Sequence, residues 1–223
     1  MRYKKETVDG HELIYSSDWI HKIESLSHWS YYWHQAKLVE ENFGREQKLL
    51  EIGVGTGFLT NYLRSRGQLI QSLDIDQKKK PDICAEASGF DYSSLKLDGV
   101  LAFEVFEHIP IQLFEKIIKQ LSTNKVPKLL FSVPWNELRV FSLILKVPFM
   151  SKIQANIQLP RLKIYTATHF WELSVIPKKQ AAKQLISQDE LYQLFTENGY
   201  DCKQLTRVDN IQFYLAVIRE PIT

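Results

Sequence analysis

The sequence predicts an α/β fold: a doubly wound, mostly parallel sheet of seven strands, with helices on both faces and an antiparallel strand near the C-terminus. Apolar runs and helix-like segments alternate between residues 48 and 134, a pattern typical of βαβ units. The apolar runs are nearly continuous, as expected for strands that are buried on both faces. Alternate glycines follow the first of these strands and open a helix, at Gly53, Gly55 and Gly57.

The composition limits the function classes. With 223 residues and 44% hydrophobic residues, the chain is long enough for one domain with an elaboration. A net charge of +2 gives no strong electrostatic reason to expect a nucleic-acid partner. Cys84 and Cys202 form no CxxC pair, and no apolar run reaches the length of a membrane span, about 20 residues. We therefore expect a soluble, cytoplasmic protein without a membrane span.

Residues 1–47 are expected to form an N-terminal helical cap. A helix pattern ends at Gly44, which is typical of a helix C-terminus. Packing on the core is the simpler role for the aromatic residues of this segment, and lining a ligand pocket is the alternative; both can hold. These aromatic residues are Trp19, Trp29, Tyr31, Tyr32 and Trp33.

The strands and helices of the predicted sheet follow in order. Helices are expected at Phe58–Arg66 and Ile111–Leu121, the second with one apolar face. The first five strands are expected at Lys48–Ile52, Leu69–Leu73, Asp82–Ala85, Gly99–Phe103 and Lys128–Val133. In a parallel sheet of this kind, ligands bind beyond the carboxyl ends of the strands, where the glycines lie.

Residues 135–180 interrupt the alternation and are interpreted as an insertion or lid of the domain that spans residues 48–223. An apolar helix is expected from Trp135 to Met150. Ser187 then begins a further helix as its N-cap, with acidic residues in the first turn. The last two strands are expected at Asp201–Arg207 and Ile211–Arg219, as a hairpin on the edge of the same sheet.

The glycine turn predicts a ligand related to nucleotides, because backbone N–H groups at a helix N-terminus can approach such a ligand closely. A dinucleotide site would need G-x-G-x-x-G, but residue 58 is phenylalanine. A P-loop would need Gly-Lys-Ser/Thr, which is absent. The pattern is instead E-x-G-x-G-x-G, from Glu51 to Gly57.

This pattern resembles motif I of the class I S-adenosylmethionine-dependent methyltransferases. Three later segments resemble further motifs of that family in the same order: residues 72–76, 80–87 and 98–109. The last of these contains Glu104-Val105-Phe106-Glu107-His108, similar to the EVLEH motif with phenylalanine in place of leucine. The resemblance covers about residues 45–134 and implies a class I methyltransferase fold, with S-adenosylmethionine as the cofactor.

The resemblance also implies the residues that bind the cofactor. Asp74 corresponds to the carboxylate that accepts from the ribose hydroxyls, with Asp76 as the alternative. Glu86 corresponds to the acidic residue near the adenine amino group, although aspartate is commoner there, and the N–H that follows it meets the ring. The full set is Glu51, Gly53, Gly55, Gly57, Asp74, Glu86, Ala87 and Phe103. For Glu51 an indirect role, orienting the turn, is favoured.

Three residues are candidates for catalysis: His108, His169 and Glu104. His108 and Glu104 follow the fourth strand, on the side where the methyl group should lie, and a histidine there could act as a general base. The alternative for His108 is a purely structural role in its loop. His169 lies near Glu172 in the insertion, where the pair could face the substrate. No histidines pair at metal-ligand spacing with a third ligand, so no metal is expected.

The methyl acceptor is expected to be a small molecule. No N-P-P-Y-like segment follows the fourth strand, and the chain has no concentrated basic segment for nucleic acid. A protein or RNA acceptor is an alternative. A methyltransferase-like scaffold that binds the cofactor without turnover is another, and a nicotinamide-dependent reductase is a weaker one. The oligomeric state is not predicted.

Overall fold

The computed structural model of the chain describes residues 4–15, 25–145, 153–179 and 183–219. No helix in these ranges is long and apolar enough to cross a membrane. The elements in chain order are β1 (Lys4–Val8), β2 (His11–Tyr15), α1 (Leu26–Asn42), β3 (Lys48–Ile52), α2 (Phe58–Ser65), β4 (Leu69–Asp74), β5 (Ile83–Cys84), β6 (Gly99–Phe103), α3 (Ile111–Thr123), β7 (Lys128–Pro134), β8 (Glu137–Leu145), β9 (Ile153–Pro160), β10 (Trp171–Leu173), β11 (Lys178–Lys179), β12 (Gln184–Ile186), α4 (Gln188–Glu197), β13 (Tyr200–Val208) and β14 (Ile211–Ile218).

The central sheet has seven strands in the order β13-β14-β7-β6-β3-β4-β5. Strands β5, β4, β3, β6 and β7 are parallel, and β14 runs antiparallel to both β7 and β13. The predicted fold class is confirmed, and each predicted strand of this sheet is present to within two residues at either end. In register, Leu50 lies beside Val100, which lies beside Leu129, so the carboxyl ends of these parallel strands meet at one edge.

Both faces of the sheet are covered, as a doubly wound fold requires. On one face, α3 and α4 contribute Phe114, Ile117 and Phe195 to a cluster that includes Leu50 and Phe131. On the other face, α1 and α2 pack their apolar residues against alternate residues of the same strands. Because successive side chains of a strand point to opposite faces, strands buried on both sides become continuous apolar runs.

The predicted helical cap over residues 1–47 is wrong in its first part. Residues 4–15 form an antiparallel hairpin, β1–β2, around Asp9 and Gly10. Both turn residues have positive φ, 47° and 79°, as the tight turns of hairpins require, and Asp-Gly is a favoured pair for such turns. Helix α1 follows as predicted and ends before Gly44. Trp19 lies outside the described residues, and the boundary at residue 47 stays a prediction.

The predicted apolar helix from Trp135 to Met150 is also wrong where the structure describes it. Strands β8 and β9 form an antiparallel hairpin instead, and residues 146–150 lie outside the described part. Val140, Phe141 and Leu143 are all about half exposed, so these apolar side chains are not buried against the described part of the domain as one face of a helix would be. Aromatic and β-branched residues favour strands in such a setting. The role of residues 135–180 as a lid stays a prediction.

The rest of that segment packs on the domain. Strands β10, β12 and β11 form a small sheet, and Trp171 of β10 is fully buried in the core, stacked on Phe114.

Helix α4 begins at the predicted N-cap, Ser187. The Ser187 hydroxyl accepts from the N–H of Glu190, and the Glu190 carboxylate accepts from the N–H of Ser187. This reciprocal capping box satisfies two backbone donors at the helix start.

Candidate active site

A cavity of about 510 Å³ opens at the carboxyl edge of the central sheet. The ends of β3, β4 and β6 form its floor, and the β1–β2 hairpin, helix α1 and the loop that contains Thr166 and His169 form its walls. Its size lies in the range of pockets for small ligands and cofactors. Of the candidate cofactor-binding and catalytic residues, those that line it are Glu51, Gly53, Gly55, Asp74, Glu86, Ala87, Phe103, Glu104, His108 and His169.

The three glycines of the turn have different tasks. Gly53 has a φ of 80°, and a Cβ there would lie 2.3 Å from Cγ2 of Val105, so it is required for packing as well as for backbone conformation. Gly55 has a φ of 55° and no heavy atom within 4 Å of an added Cβ, so its backbone is open to a ligand. Gly57 is the N-cap of α2 and is not among the lining residues. Close approach to a ligand is therefore a property of Gly55 above all.

Asp74 ends β4 as a buried hydrogen-bond acceptor. Its carboxylate accepts from the N–H groups of Val54 (2.9 Å) and Asp76 (2.8 Å) and from Nζ of Lys79 (3.0 Å). A carboxylate has about four acceptor positions, so one stays available for a ligand hydroxyl. Asp76, the alternative, accepts from Lys4 at 2.9 Å and does not line the cavity. The geometry favours Asp74 over Asp76 as the ribose-binding residue, which stays a prediction.

Glu51 is buried beneath the glycine turn. Its carboxylate accepts from the hydroxyl of Thr60 on α2, which joins β3 to that helix. Burial raises the pKa of Glu51 to about 7, and the Thr60 hydrogen bond opposes the rise only in part. This side chain braces the turn, in keeping with the indirect role favoured for it.

Glu86 and Ala87 follow β5 and line the cavity. Glu86 caps a 3-10 turn: its carboxylate accepts from the N–H and the hydroxyl of Ser88, each at 2.8 Å. The hydroxyl of Tyr92 donates to the carbonyl of Ala87 at 2.8 Å, which fixes the same turn. Both residues are thereby held at the cavity wall in one conformation.

The two candidate histidines, 61 positions apart in sequence, meet in the lining of the cavity. Their ring centroids lie 4.8 Å apart in an edge-to-face arrangement. His169 Nδ1 lies 2.7 Å from a carboxylate oxygen of Glu172, whose second oxygen accepts from Asn136. His108 Nδ1 lies 3.2 Å from the carbonyl oxygen of Thr168. Burial, and then the neighbouring His169, lower the pKa of His108, so its imidazole is neutral at pH 7.

Two carboxyl groups accompany the histidines. Glu104, with a φ of 54°, follows β6, and its carboxylate accepts from the Ser132 hydroxyl at 2.9 Å. Burial raises the pKa of Glu104 to about 7. Glu107 is fully buried, and neither of its carboxylate oxygens has a hydrogen-bond partner among the described residues. Burial, and then Glu104, raise its pKa well above the usual range.

The sequence did not identify every residue of the site. The hairpin residues Leu13 and Tyr15 line the cavity. The Asp-Gly pair was a signal for the hairpin itself, but not for its position at the cavity. Lys79 belongs to the basic run Lys78–Lys80, to which no role was assigned from the sequence, yet its side chain is only 13% exposed and pairs with Asp74. Glu107 lies inside the motif that carries the family resemblance, without a role assigned to it. Tyr31 and Tyr32 line the cavity, in agreement with the alternative role suggested for the aromatic residues of the N-terminal segment.

The sheet order, with the antiparallel β14 between β13 and β7, and the cavity over the glycine turn define a Rossmann-like methyltransferase of class I. The family model described as a methyltransferase domain matches residues 20–205 of this sequence. The chain belongs to this family and is an S-adenosylmethionine-dependent methyltransferase.

Individual relatives are distant. Ribosomal RNA small subunit methyltransferase A of Mesomycoplasma hyopneumoniae strain J is 24% identical over 206 residues, covering 80% of this chain and 76% of the relative. The sugar N-methyltransferase KedS8 from Streptoalloteichus superposes with a TM-score of 0.59 at 11% identity, over 99% of both chains. Magnesium protoporphyrin IX methyltransferase of Synechocystis, solved with S-adenosylmethionine bound, gives 0.53 at 14% identity, over 91% of this chain and 85% of its own. At such identities the superpositions establish the fold alone.

Proposed function

We propose that this methyltransferase transfers the methyl group to a small-molecule acceptor. The observation that carries the proposal is the lining of the cavity: among its described residues Lys79 is the only lysine or arginine, and that side chain pairs with Asp74. A nucleic-acid acceptor would bring phosphate groups, which proteins meet chiefly with lysine and arginine. The described lining offers no such free cation, so a compact acceptor without a phosphate backbone fits it better.

The walls of the cavity support the same proposal. The hydroxyl of Tyr32 lies 3.1 Å from that of Thr56, and the Tyr32 ring packs on Phe58 with centroids 4.8 Å apart, which fastens α1 over the glycine turn. Lys4 of the β1–β2 hairpin pairs with Asp76 at 2.9 Å, which joins the hairpin to the segment after β4. These contacts hold two walls of the cavity in place, and an enclosed cavity would exclude water from the transfer.

We place the cofactor at the glycine turn and the acceptor at the histidine end. Asp74 takes a ribose hydroxyl, and the Glu86–Ala87 turn takes the adenine ring. His108, His169 and Glu104 lie on the acceptor side and position the nucleophile. In the transfer, the bond from methyl carbon to sulfur breaks as the bond to the acceptor forms, and the sulfur keeps the electron pair. The protein's task is to hold the three reacting atoms in line.

Partition of a labelled methyl group tests the acceptor class. The purified chain is incubated with methyl-labelled S-adenosylmethionine and, separately, with small-molecule, RNA and protein fractions of a cell extract. We expect label in the small-molecule fraction. Label in ribosomal RNA would overturn the proposal in favour of the activity that the rRNA methyltransferase relative is named for. Cofactor binding without label in any fraction would favour a scaffold without turnover.

Calorimetry with S-adenosylmethionine tests the placement of the cofactor. Asp74→Asn is expected to lower the affinity roughly 10- to 100-fold, because a hydrogen bond to a charged group contributes about 1.5–3 kcal/mol. Asp91→Asn is the matched control, since Asp91 is an exposed aspartate that accepts from Ser93 away from the cavity. Equal affinities for the two variants would refute the assignment of Asp74. His108→Ala and His169→Ala should leave this affinity within a few-fold while abolishing transfer.

A further inference from the structure

Glu107 is the least satisfied polar side chain of the acceptor end. It is 0% exposed, and both of its carboxylate oxygens have no hydrogen-bond partner within the described ranges. A buried carboxyl group without a partner is costly, and native structures that retain one usually supply a cation, a proton or a ligand. Oε1 of Glu107 lies 4.0 Å from Nε2 of His108, too far for a hydrogen bond. A cation between these two atoms would satisfy both of them.

The two histidines beside Glu107 are oriented as metal ligands are. In metal sites, a histidine typically donates one ring N–H to a carboxylate or a backbone carbonyl and binds the metal through the other nitrogen. His169 makes the first kind of contact, from Nδ1 to Glu172 at 2.7 Å. His108 makes the second, from Nδ1 to the carbonyl of Thr168 at 3.2 Å. In both rings Nε2 is then the nitrogen with a free lone pair.

We propose that Glu107, His108 and His169 bind a divalent transition-metal ion at the acceptor end of the cavity. One ligand atom from each residue lies within 4.8 Å of the other two. Binding at about 2.1 Å from the ion draws these atoms roughly an ångström closer together, which side-chain rotation can supply. The sequence spacing had suggested no such set, because residue 169 reaches residue 108 only through the packing of the loop before β10 on the end of β6.

The donor set selects the kind of ion. Two imidazoles and one carboxylate suit Zn²⁺, Mn²⁺ or Fe²⁺, whereas Mg²⁺ and Ca²⁺ prefer sites made of oxygen alone. Three protein ligands leave at least one coordination position open. Since His108 and His169 line the cavity, that position faces the acceptor.

The site also defines the acceptor more closely, an inference that rests on the proposed function. An ion with an open position binds an oxygen of the acceptor and lowers the pKa of its hydroxyl group. The hydroxyl proton leaves to water, the oxygen forms its bond to the methyl carbon, and the carbon–sulfur bond breaks with its electron pair going to sulfur. The substrate class is therefore a small molecule with a hydroxyl group.

Metal titration of the full chain, without cofactor or acceptor, tests the site by itself. Zn²⁺ binding is followed by calorimetry and Co²⁺ binding by visible absorption, in the native protein and in H108A, H169A and E172Q. We expect one ion per chain, with affinity lowered more than about 100-fold in each histidine variant. E172Q, which removes the carboxylate that orients His169, should lower the affinity for the ion roughly 10- to 100-fold. His34→Ala is the matched control, because His34 bonds to Ser30 within α1 and does not line the cavity.

Each outcome of the titration decides the proposal. The absence of binding to the native protein would overturn it, as would binding that survives H108A and H169A or that is lost equally in H34A. Because the titration needs no acceptor, its result remains valid even if the labelled-methyl experiment detects no transfer.

A chelator should abolish transfer to hydroxyl acceptors and leave the affinity for S-adenosylmethionine unchanged, and Mn²⁺ or Zn²⁺ should restore the transfer. Transfer that persists in the chelator would refute the role assigned to the ion in the reaction.

Discussion

The contact between the glycine turn and the loop after β6 makes a quantitative prediction for Gly53→Ala. The added Cβ would lie 2.3 Å from Cγ2 and 3.3 Å from Cγ1 of Val105, well inside van der Waals contact. The backbone at residue 53 is also left-handed, with a φ of 80°. Two separate costs therefore add in this variant: backbone strain and overlap with a neighbouring side chain.

Each cost has a known scale. A left-handed conformation costs a residue with a Cβ about 1–2 kcal/mol, and overpacking costs typically about 1–3 kcal/mol. Gly53→Ala should thus lower the free energy of unfolding by about 2–5 kcal/mol. Gly55→Ala is the matched control, since its φ of 55° carries the strain, yet an added Cβ meets no atom within 4 Å. That variant should lose only about 1–2 kcal/mol.

A double-mutant cycle with Val105→Ala isolates the overlap. Truncation of Val105 removes both methyl groups and leaves its Cβ at 3.4 Å, an ordinary contact. Urea denaturation of the four proteins should therefore show that the double variant recovers about 1–3 kcal/mol relative to the sum of the single variants. Strict additivity, or equal losses for the Gly53 and Gly55 variants, would refute the packing argument and leave backbone conformation as the only reason for glycine at position 53.

Three further stability predictions use the same measurement. Burial raises the pKa of Glu51 to about 7 in the folded chain, so the folded state holds the proton more tightly and stability falls as pH rises from about 4.5 to 7. Glu51→Gln should reduce the loss of unfolding free energy between pH 5 and 8 by roughly 2–3 kcal/mol. Parallel pH profiles for the variant and the native protein would contradict this. Ser187→Ala removes the capping box with Glu190 and should cost about 1 kcal/mol, so an unchanged midpoint would exclude that contribution. Gln68→Ala leaves the carbonyl of Gln47 without the amide that donates to it at 2.7 Å and should lower the free energy of unfolding by about 1–3 kcal/mol. A smaller loss would indicate that water replaces the amide.

Local sequence patterns predicted the part of the fold that they report on directly. Apolar runs marked each strand of the central sheet, and the glycine turn marked the edge where the cavity lies. Ser187 marked the start of α4. These signals work because strand period, left-handed turns and helix caps depend on residues within a few positions of one another. The errors arose where an apolar run was interpreted without knowing what it packs on, as in β8.

Only the tertiary structure decided which side chains meet. His108 and His169 were each proposed as a catalytic residue, but their contact and the unpartnered carboxyl group of Glu107 beside them depend on how the loop before β10 packs on the end of β6. The pairing of Lys79 with Asp74 likewise became known only from the structure. By itself the sequence predicted the residues proposed to bind the cofactor, because most of them lie in short segments at strand ends. The residues proposed for the acceptor end come from segments that are distant in sequence, and no local pattern predicts their distance in space.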